Sequence, residues 1–265
     1  MERAYAIALR AVELDPESAQ SASLLGTILS AKNDWIGGEV AHLKALSLLS
    51  DLRNLYQYGN LLMRAGRSAA ALEKYEMSEA VEPLRGPRYL RIYIALAQWR
   101  FADARELFAV GGSWPPLHGA DLTIALHEGD TEEIKAIMAA MPLTAISTIK
   151  LHAPVLKVFD SHEMVLSTLR AVYADNGSRW PSKLHDIALL AAYFGDPELA
   201  LQTIGEEVRF GSPRIYALWY PLMSEVRQLQ GFKELMTDLN LVAYWRDYGW
   251  ADACRPLGND DFTCS

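Results

Sequence analysis

A chain of 265 residues with 33 acidic and 25 basic side chains carries a formal charge of −8, and its 51% hydrophobic content is too high for disorder and enough for a sizeable core. That balance excludes nucleic-acid binding as a leading role, because phosphate contacts need clustered lysine and arginine, and here the basic residues are scattered among more numerous acids. The opening MERAYAIALR has no signal-peptide character, and the longest uncharged apolar stretch, Ala136 to Ile149, is interrupted by Pro142, short of the roughly 20 residues that cross a bilayer. The cytoplasm is therefore the expected location, with no membrane contact.

In chain order, Ala4, Ala8, Ala11 and Leu14 in AYAIALRAVELDP share a helical face that ends at Pro16, in the manner of the second helix of a hairpin whose first helix does not precede it. The expectation drawn from this start is an effector domain upstream of Met1. Ala22, Leu25, Gly26 and Leu29 then anticipate, 33 residues earlier, the set Leu55, Tyr58, Gly59 and Leu62. The latter four fall at i, i+3, i+4 and i+7, so one stripe of a helix is apolar, with a glycine in its middle that admits a close neighbour. Gly66 stops that helix, Ala71 and Tyr75 give the next one a small and a large contact, and Pro83 prevents its continuation.

Further along, Trp99 to Phe108 carries Ala104 and Phe108 in the small and large positions, and Gly129-Asp130 makes a turn before Ile134, Ile137 and Met138, with Asp130 and Glu133 at capping-box spacing. Residues 142–160 and 161–174 supply another pair, capped by Asp160 or Ser161, with Val165, Leu169 and Val172 facing inward. Residues 186–210 again read helix, Gly195-Asp196 turn, helix, with Asp196 as N-cap, Pro197 in the first turn, and Ala200 and Ile204 inside. Loops are expected at 111–116 and 176–178. No run alternates apolar and polar residues long enough for a sheet.

The order Leu55-x2-Tyr58-Gly59-x2-Leu62, then Ala71-x3-Tyr75, then Pro83, resembles the tetratricopeptide (TPR) pattern. The resemblance implies an all-α fold, a right-handed α-solenoid of antiparallel helix pairs, with repeats over 1–210 (clear at 1–83 and 181–210, degenerate at 84–180). Residues 211–265 then form capping helices and a tail. Pro221, Phe232, Leu235, Leu239, Leu241, Tyr244, Trp245, Gly249, Trp250, Asp252, Cys254, Pro256 and Phe262 resemble the closing segment of TPR modules at the C-terminal end of bacterial regulators, where a winged-helix or class III adenylate cyclase domain precedes the repeats. Asn259 interrupts a Gly-acid run typical of those relatives. Physically, Phe232, Leu235, Leu239, Tyr244, Trp245 and Trp250 can cover the exposed face of the last repeat.

Catalytic strings are absent. His127-Glu128 and His162-Glu163 begin H-E-x-x-H, but Thr131 and Leu166 stand where the second histidine belongs. No phosphate-cradling glycine loop or nucleophile elbow occurs. Cys254 and Cys264 lie close enough to close a small loop in an oxidising compartment, yet without a signal sequence they are expected as reduced, structural thiols; the sequence leaves the pairing open. Asp252, Asp260 and Asp261 have no histidine nearby, so no zinc, other metal or cofactor is expected.

If first helices line a groove, the face opposite the buried stripe carries Arg53, Tyr56, Asn60 and Met63, able to hold an extended peptide's backbone or carboxylate. Tyr89 and Tyr93 continue that groove and His185 closes it; the bland alternative is a solvated face for Arg53 and Asn60 and core filling for Tyr93. The set resembles part of the carboxylate clamp of chaperone-binding TPR domains, but the accompanying lysines are not in matching places. The expected function is a non-catalytic protein- or peptide-binding module of a larger regulator, able to self-associate. The alternatives are a small-molecule sensor built around Trp99, Trp114 and His118 and, more remotely, an enzyme of unknown type.

Overall fold

A computed structural model of the chain describes residues 1–81, 89–111, 120–140, 146–175, 181–209, 213–258 and 261–265. The expectations at Pro83, Trp114, His118, Pro142, Asn259 and Asp260, in loop 176–178 and in most of loop 111–116 lie outside the described residues. Helices follow one another as α1 (Glu2–Leu14), α2 (Ala19–Ala31), α3 (Trp35–Leu48), α4 (Leu52–Arg64), α5 (Ser68–Val81), α6 (Tyr89–Ala97), α7 (Phe101–Gly111), α8 (Ala120–Glu128) and α9 (Thr131–Ala140). There follow α10 (Ile146–Leu156), α11 (His162–Ala174), α12 (Pro181–Tyr193), α13 (Pro197–Arg209), 3-10 turns at Pro213–Trp219 and Pro221–Met223, α14 (Ser224–Gln228), α15 (Gln230–Asp238) and α16 (Leu241–Tyr248). Among the described residues the fold is all-α apart from two four-residue strands, β1 (Cys254–Leu257) and β2 (Asp261–Cys264), which pair antiparallel. Among the described residues no helix is long and apolar enough to cross a membrane.

Two compact units result, one of Met1–Ile94 with Lys233–Cys264, the other of Ala95–Phe232 with Ser265. In the first unit α1 to α5 each pack on the next, and α2 also touches α4. In the second, α7 to α13 do the same, with α12 also against α8 and α10. Helix hairpins stacked in sequence order, first helices side by side, are the arrangement of an α-solenoid.

The turns explain why. Asn33, Gly66 and Trp99 stand 33 residues apart, and each adopts a left-handed backbone, with φ of 64°, 81° and 61°. At each, the amide of the left-handed residue bonds three residues back, and the next amide bonds five back: Asp34 to Leu29, Arg67 to Leu62 and Arg100 to Ala95, at 3.0, 2.9 and 2.8 Å. Gly195 repeats the motif, its successor Asp196 bonding Ala191 at 2.8 Å. This double bond satisfies the last carbonyls of one helix and reverses the chain into the next. Gly129 turns the chain with φ of 72° and a single bond to Ala125. Asp34, Asp130 and Asp196 accept the amides of Gly37, Glu133 and Leu199 at 2.9, 3.0 and 3.1 Å, so each caps the helix that follows. Ser161, rather than Asp160, caps α11 through the Met164 amide.

Inside the hairpins Leu55, Tyr58, Leu62, Ala71 and Tyr75 are buried, as are Ala104, Ile134, Met138, Val165, Leu169, Ala200 and Ile204. A Cβ on Gly59 would stand 2.5 Å from Cε1 of Tyr75, so the tyrosine ring lies directly on the α4 backbone. One repeat earlier Gly26 meets the His42 ring in the same way, at 2.8 Å. Residues 26 and 42 correspond to 59 and 75 at the 33-residue offset, so the packing repeats along with the sequence.

The ribbon corrects two expectations. Its strands are too short for an alternating pattern to show, and pairing register, not composition, creates them. That register sets Cys254 opposite Cys264 with Cα atoms 4.0 Å apart, and the two are joined as a disulfide instead of standing as separate thiols. The tail is shared between the units: Phe232 packs with Trp219 in the second, whereas Tyr244 and Trp245 bond to Glu39 of α3 and to the Ala65 carbonyl in the first.

Candidate partner-binding surface

On α4, Arg53 is exposed and Tyr56 and Asn60 are half-buried, one turn and two turns along the same face. The Tyr56 ring lies tilted at 41° to that of Tyr75 with centroids 6.0 Å apart, and Asn60 accepts the Tyr75 hydroxyl through Oδ1 at 3.0 Å. That bond fixes the carboxamide orientation and leaves its N–H groups directed away from the acceptor. Met63 is buried, because it lies four residues beyond Gly59 and so continues the packed stripe. Tyr93 is half-buried on α6 of the same unit, where Arg91 pairs with Glu79 at 2.9 Å. Tyr89 opens α6, and its side chain lies outside the described residues.

Sequence reading missed the neighbouring wall. Gln20, Leu24 and Thr27 on α2 correspond to Arg53, Gln57 and Asn60 at the 33-residue offset, and Gln20 and Leu24 are exposed. Thr27 Oγ1 lies 3.5 Å from Gln57 Oε1, tying the two first helices together along this strip. The repeat offset, applied to Arg53 and Asn60, points to Gln20 and Thr27, but not to Leu24, whose counterpart is Gln57.

A second polar group, also missed, seats the tail on the first unit. The buried carboxylate of Glu39 accepts the hydroxyls of Tyr58 and, at 2.9 Å, Tyr244. Arg67 donates to Tyr244 Oη at 3.1 Å. Burial first, and then the adjacent Glu39, push both phenols well above the ordinary tyrosine range, so both stay protonated and donate to the carboxylate. The Trp35 indole donates to the Leu239 carbonyl at 2.7 Å, and the Trp245 indole to the Ala65 carbonyl at 2.8 Å. Asp252 completes the contact: its amide donates to Gly66 O at 2.9 Å, and its carboxylate accepts the Ala69 amide at 2.8 Å. Close by, His42 is fully buried with neither ring nitrogen hydrogen-bonded, and burial depresses its pKa to about 4.

His185 belongs to the second unit, on α12. Its Nδ1 lies 3.2 Å from Glu207 Oε2 on α13, and Arg214 approaches the other oxygen at 3.3 Å. On α10, His152 sits 3.3 Å from Asp186 Oδ2 without a hydrogen bond. Both acids and both histidines are buried, so these pairs hold α10, α12 and α13 together. In the same unit Trp99 is 66% exposed and adopts a left-handed backbone, and Phe101 and His127 continue an aromatic row from it, with successive centroids 6.4 and 5.2 Å apart. Burial lowers the His127 pKa, so that ring is an aromatic contact more than a charge. Among the described residues no group of three or more histidine, cysteine or acidic side chains converges as metal ligands.

No protein-family model matches the chain, and no curated protein matches it. Among solved structures it is similar to a chain of one titled "Structure of Naa15/Naa10 bound to HypK-THB", with 15% identity over 94% of this chain and a TM-score of 0.36. This chain spans 40% of the length of that one. At so low a score the fold reading rests on this chain's own hairpins and turns.

Proposed function

We propose that this chain is a non-catalytic protein-interaction module that holds an extended peptide along the first helices α2 and α4. The observation that carries the reading is the strip formed by Gln20, Leu24 and Thr27 on one helix and Arg53, Tyr56 and Asn60 on the next, in which Gln20, Leu24 and Arg53 are exposed and Thr27, Tyr56 and Asn60 half-buried. Arg53 supplies a charge-assisted donor for a carboxylate and Asn60, its oxygen already accepting the Tyr75 hydroxyl, an N–H donor for a peptide carbonyl, with Tyr56 as an apolar floor. Tyr93 extends the strip, and Met63 supports it from beneath. The resemblance of residues 218–265 to closing segments of TPR modules in bacterial regulators supports a place in the C-terminal part of a larger cytoplasmic regulator.

The test is selection of binders from a library of unstructured peptides, followed by calorimetry with Arg53→Ala, Tyr56→Ala and Asn60→Ala. Each substitution weakens a selected peptide about tenfold or more, as loss of a charged or aromatic anchor does. Selected peptides indifferent to all three would refute the strip. One observation favours a second reading: the exposed Trp99, held in a strained backbone beside Phe101 and His127, suits stacking of a planar small molecule. A ligand-induced rise in melting temperature that Trp99→Gly abolishes would select this sensor role.

A further inference from the structure

We propose that Cys254 and Cys264 are a thiol–disulfide exchange site, through which a cellular dithiol sets whether the tail caps α5. The first observation is the cap itself. Asp34, Asp130 and Asp196 sit directly after left-handed turns and cap their own helices, but the residue after Gly66 is Arg67. The capping carboxylate of α5 comes instead from Asp252, 183 residues away, bound to the Ala69 amide with the Ser68 amide also directed at it. The start of α5 is therefore complete only while the tail is docked.

The second observation is where the disulfide lies. Asp252 is two residues before Cys254, and the bridge ties β1 to β2, which carries Phe262. Phe262 is buried against Trp245 and Trp250, at 5.7 and 5.8 Å, and Trp245 holds the Ala65 carbonyl in the turn that precedes α5. A two-stranded ribbon of four residues per strand does not persist by itself in water. Closing a loop of about ten residues favours it roughly a hundredfold, so the covalent bond decides whether Phe262 stays under the tryptophans.

The exchange balances simply. One thiolate of a dithiol attacks a cysteine sulfur and expels the other cysteine as a thiolate; the second thiol of the reagent then attacks the mixed disulfide and releases the first cysteine. Two electrons and two protons pass to the protein, and the reagent leaves as its own disulfide. Both cysteines are about nine-tenths buried, so attack waits on fraying of the ribbon and the state follows the compartment's thiol poise over minutes, not milliseconds.

The test is hydrogen exchange on the full chain before and after dithiothreitol, with alkylation to count free thiols. Reduction is expected to raise exchange at the Ser68, Ala69 and Asp252 amides about 10- to 100-fold, while α12 and α13 are unchanged. Cys254→Ser/Cys264→Ser should match the reduced protein and no longer respond to dithiothreitol; if that variant fails to fold, reduction of the parent still gives the answer. Unchanged exchange at Ser68 and Ala69 with both thiols free would overturn the proposal, as would a bridge that native buffer with 10 mM dithiothreitol leaves intact.

Discussion

Gly59→Ala sets two effects of opposite sign against each other. Replacing a mid-helix glycine with alanine ordinarily stabilises a helix by about 1 kcal/mol, because less backbone entropy is lost on folding. Here the added methyl would lie 2.5, 2.9 and 3.0 Å from three ring atoms of Tyr75, well inside the 3.5–4.0 Å at which carbon pairs attract. The ring cannot swing aside freely, since it is buried, its hydroxyl is held by Asn60 and the tilted Tyr56 ring lies beside it. Overpacking a buried contact costs about 1–3 kcal/mol, so the clash outweighs the propensity gain and a net loss of about 1–2 kcal/mol is expected. Urea denaturation followed by circular dichroism measures it, and Gly59→Ala/Tyr75→Leu, which clears the ring, should lose less than the sum of the two single changes. A Gly59→Ala protein more stable than the parent would show that the α4–α5 contact is looser than the structure places it.

Other outcomes follow from single side chains. His42 has its pKa depressed to about 4 by burial, below the ordinary 6.5, so between those values the unfolded chain binds a proton that the folded chain refuses. Stability should therefore fall as pH drops from 6.5 towards 4, by up to about 3 kcal/mol, and His42→Leu should flatten that slope in urea titrations across the range. Asp252→Ala should cost about 1 kcal/mol as a lost cap, while Asp252→Asn, which keeps an acceptor oxygen, should retain most of it; equal losses would remove the capping role. Trp99→Gly should be about 1 kcal/mol more stable than Trp99→Ala in thermal melts, because only glycine adopts φ of 61° without strain. The reverse order would mean that the backbone there is relaxed.

The hairpin α4–α5 and the first helix α2 were legible because their packing uses residue types with distinct signatures: a glycine under a ring in both and, in α4–α5, an alanine at a helix crossing and a glycine in a left-handed turn. Trp99 shows the limit, since the same turn at the same 33-residue interval is occupied by a residue that no turn rule selects. Of the expected groove residues on α4, Arg53 is exposed, Tyr56 and Asn60 are half-buried and Met63 is buried, because Met63 lies on the same turn as the packed Leu62. Contacts of the tail were not legible at all. Glu39 and Tyr244 are separated by 205 residues, and Trp35 and Leu239 by 204, so no local pattern ties them. The pairing of Cys254 with Cys264 was hidden for a related reason: it depends on a strand register that four-residue strands do not write into hydropathy.

Arg67 links the local cap of α5 to the docking of the tail. At the position where three other hairpins place an aspartate, it gives up the local cap and uses its guanidinium to hold Tyr244 in the tail, whose Asp252 then returns the missing carboxylate to α5. A helix that borrows its cap from a distant segment gains nothing in stability over one that carries its own, and it adds the entropy cost of ordering that segment. What it acquires is dependence: the first turn of α5 and the docked tail form or open together. Arg67→Asp separates the two possibilities. If the tail is only a cover, the variant recovers a local cap and stays as stable as the parent. If capping and docking are one linked unit, Arg67→Asp restores α5 while releasing Tyr244, so Ser68 and Ala69 remain protected from exchange as the tail amides lose protection, and the response of α5 to reduction disappears.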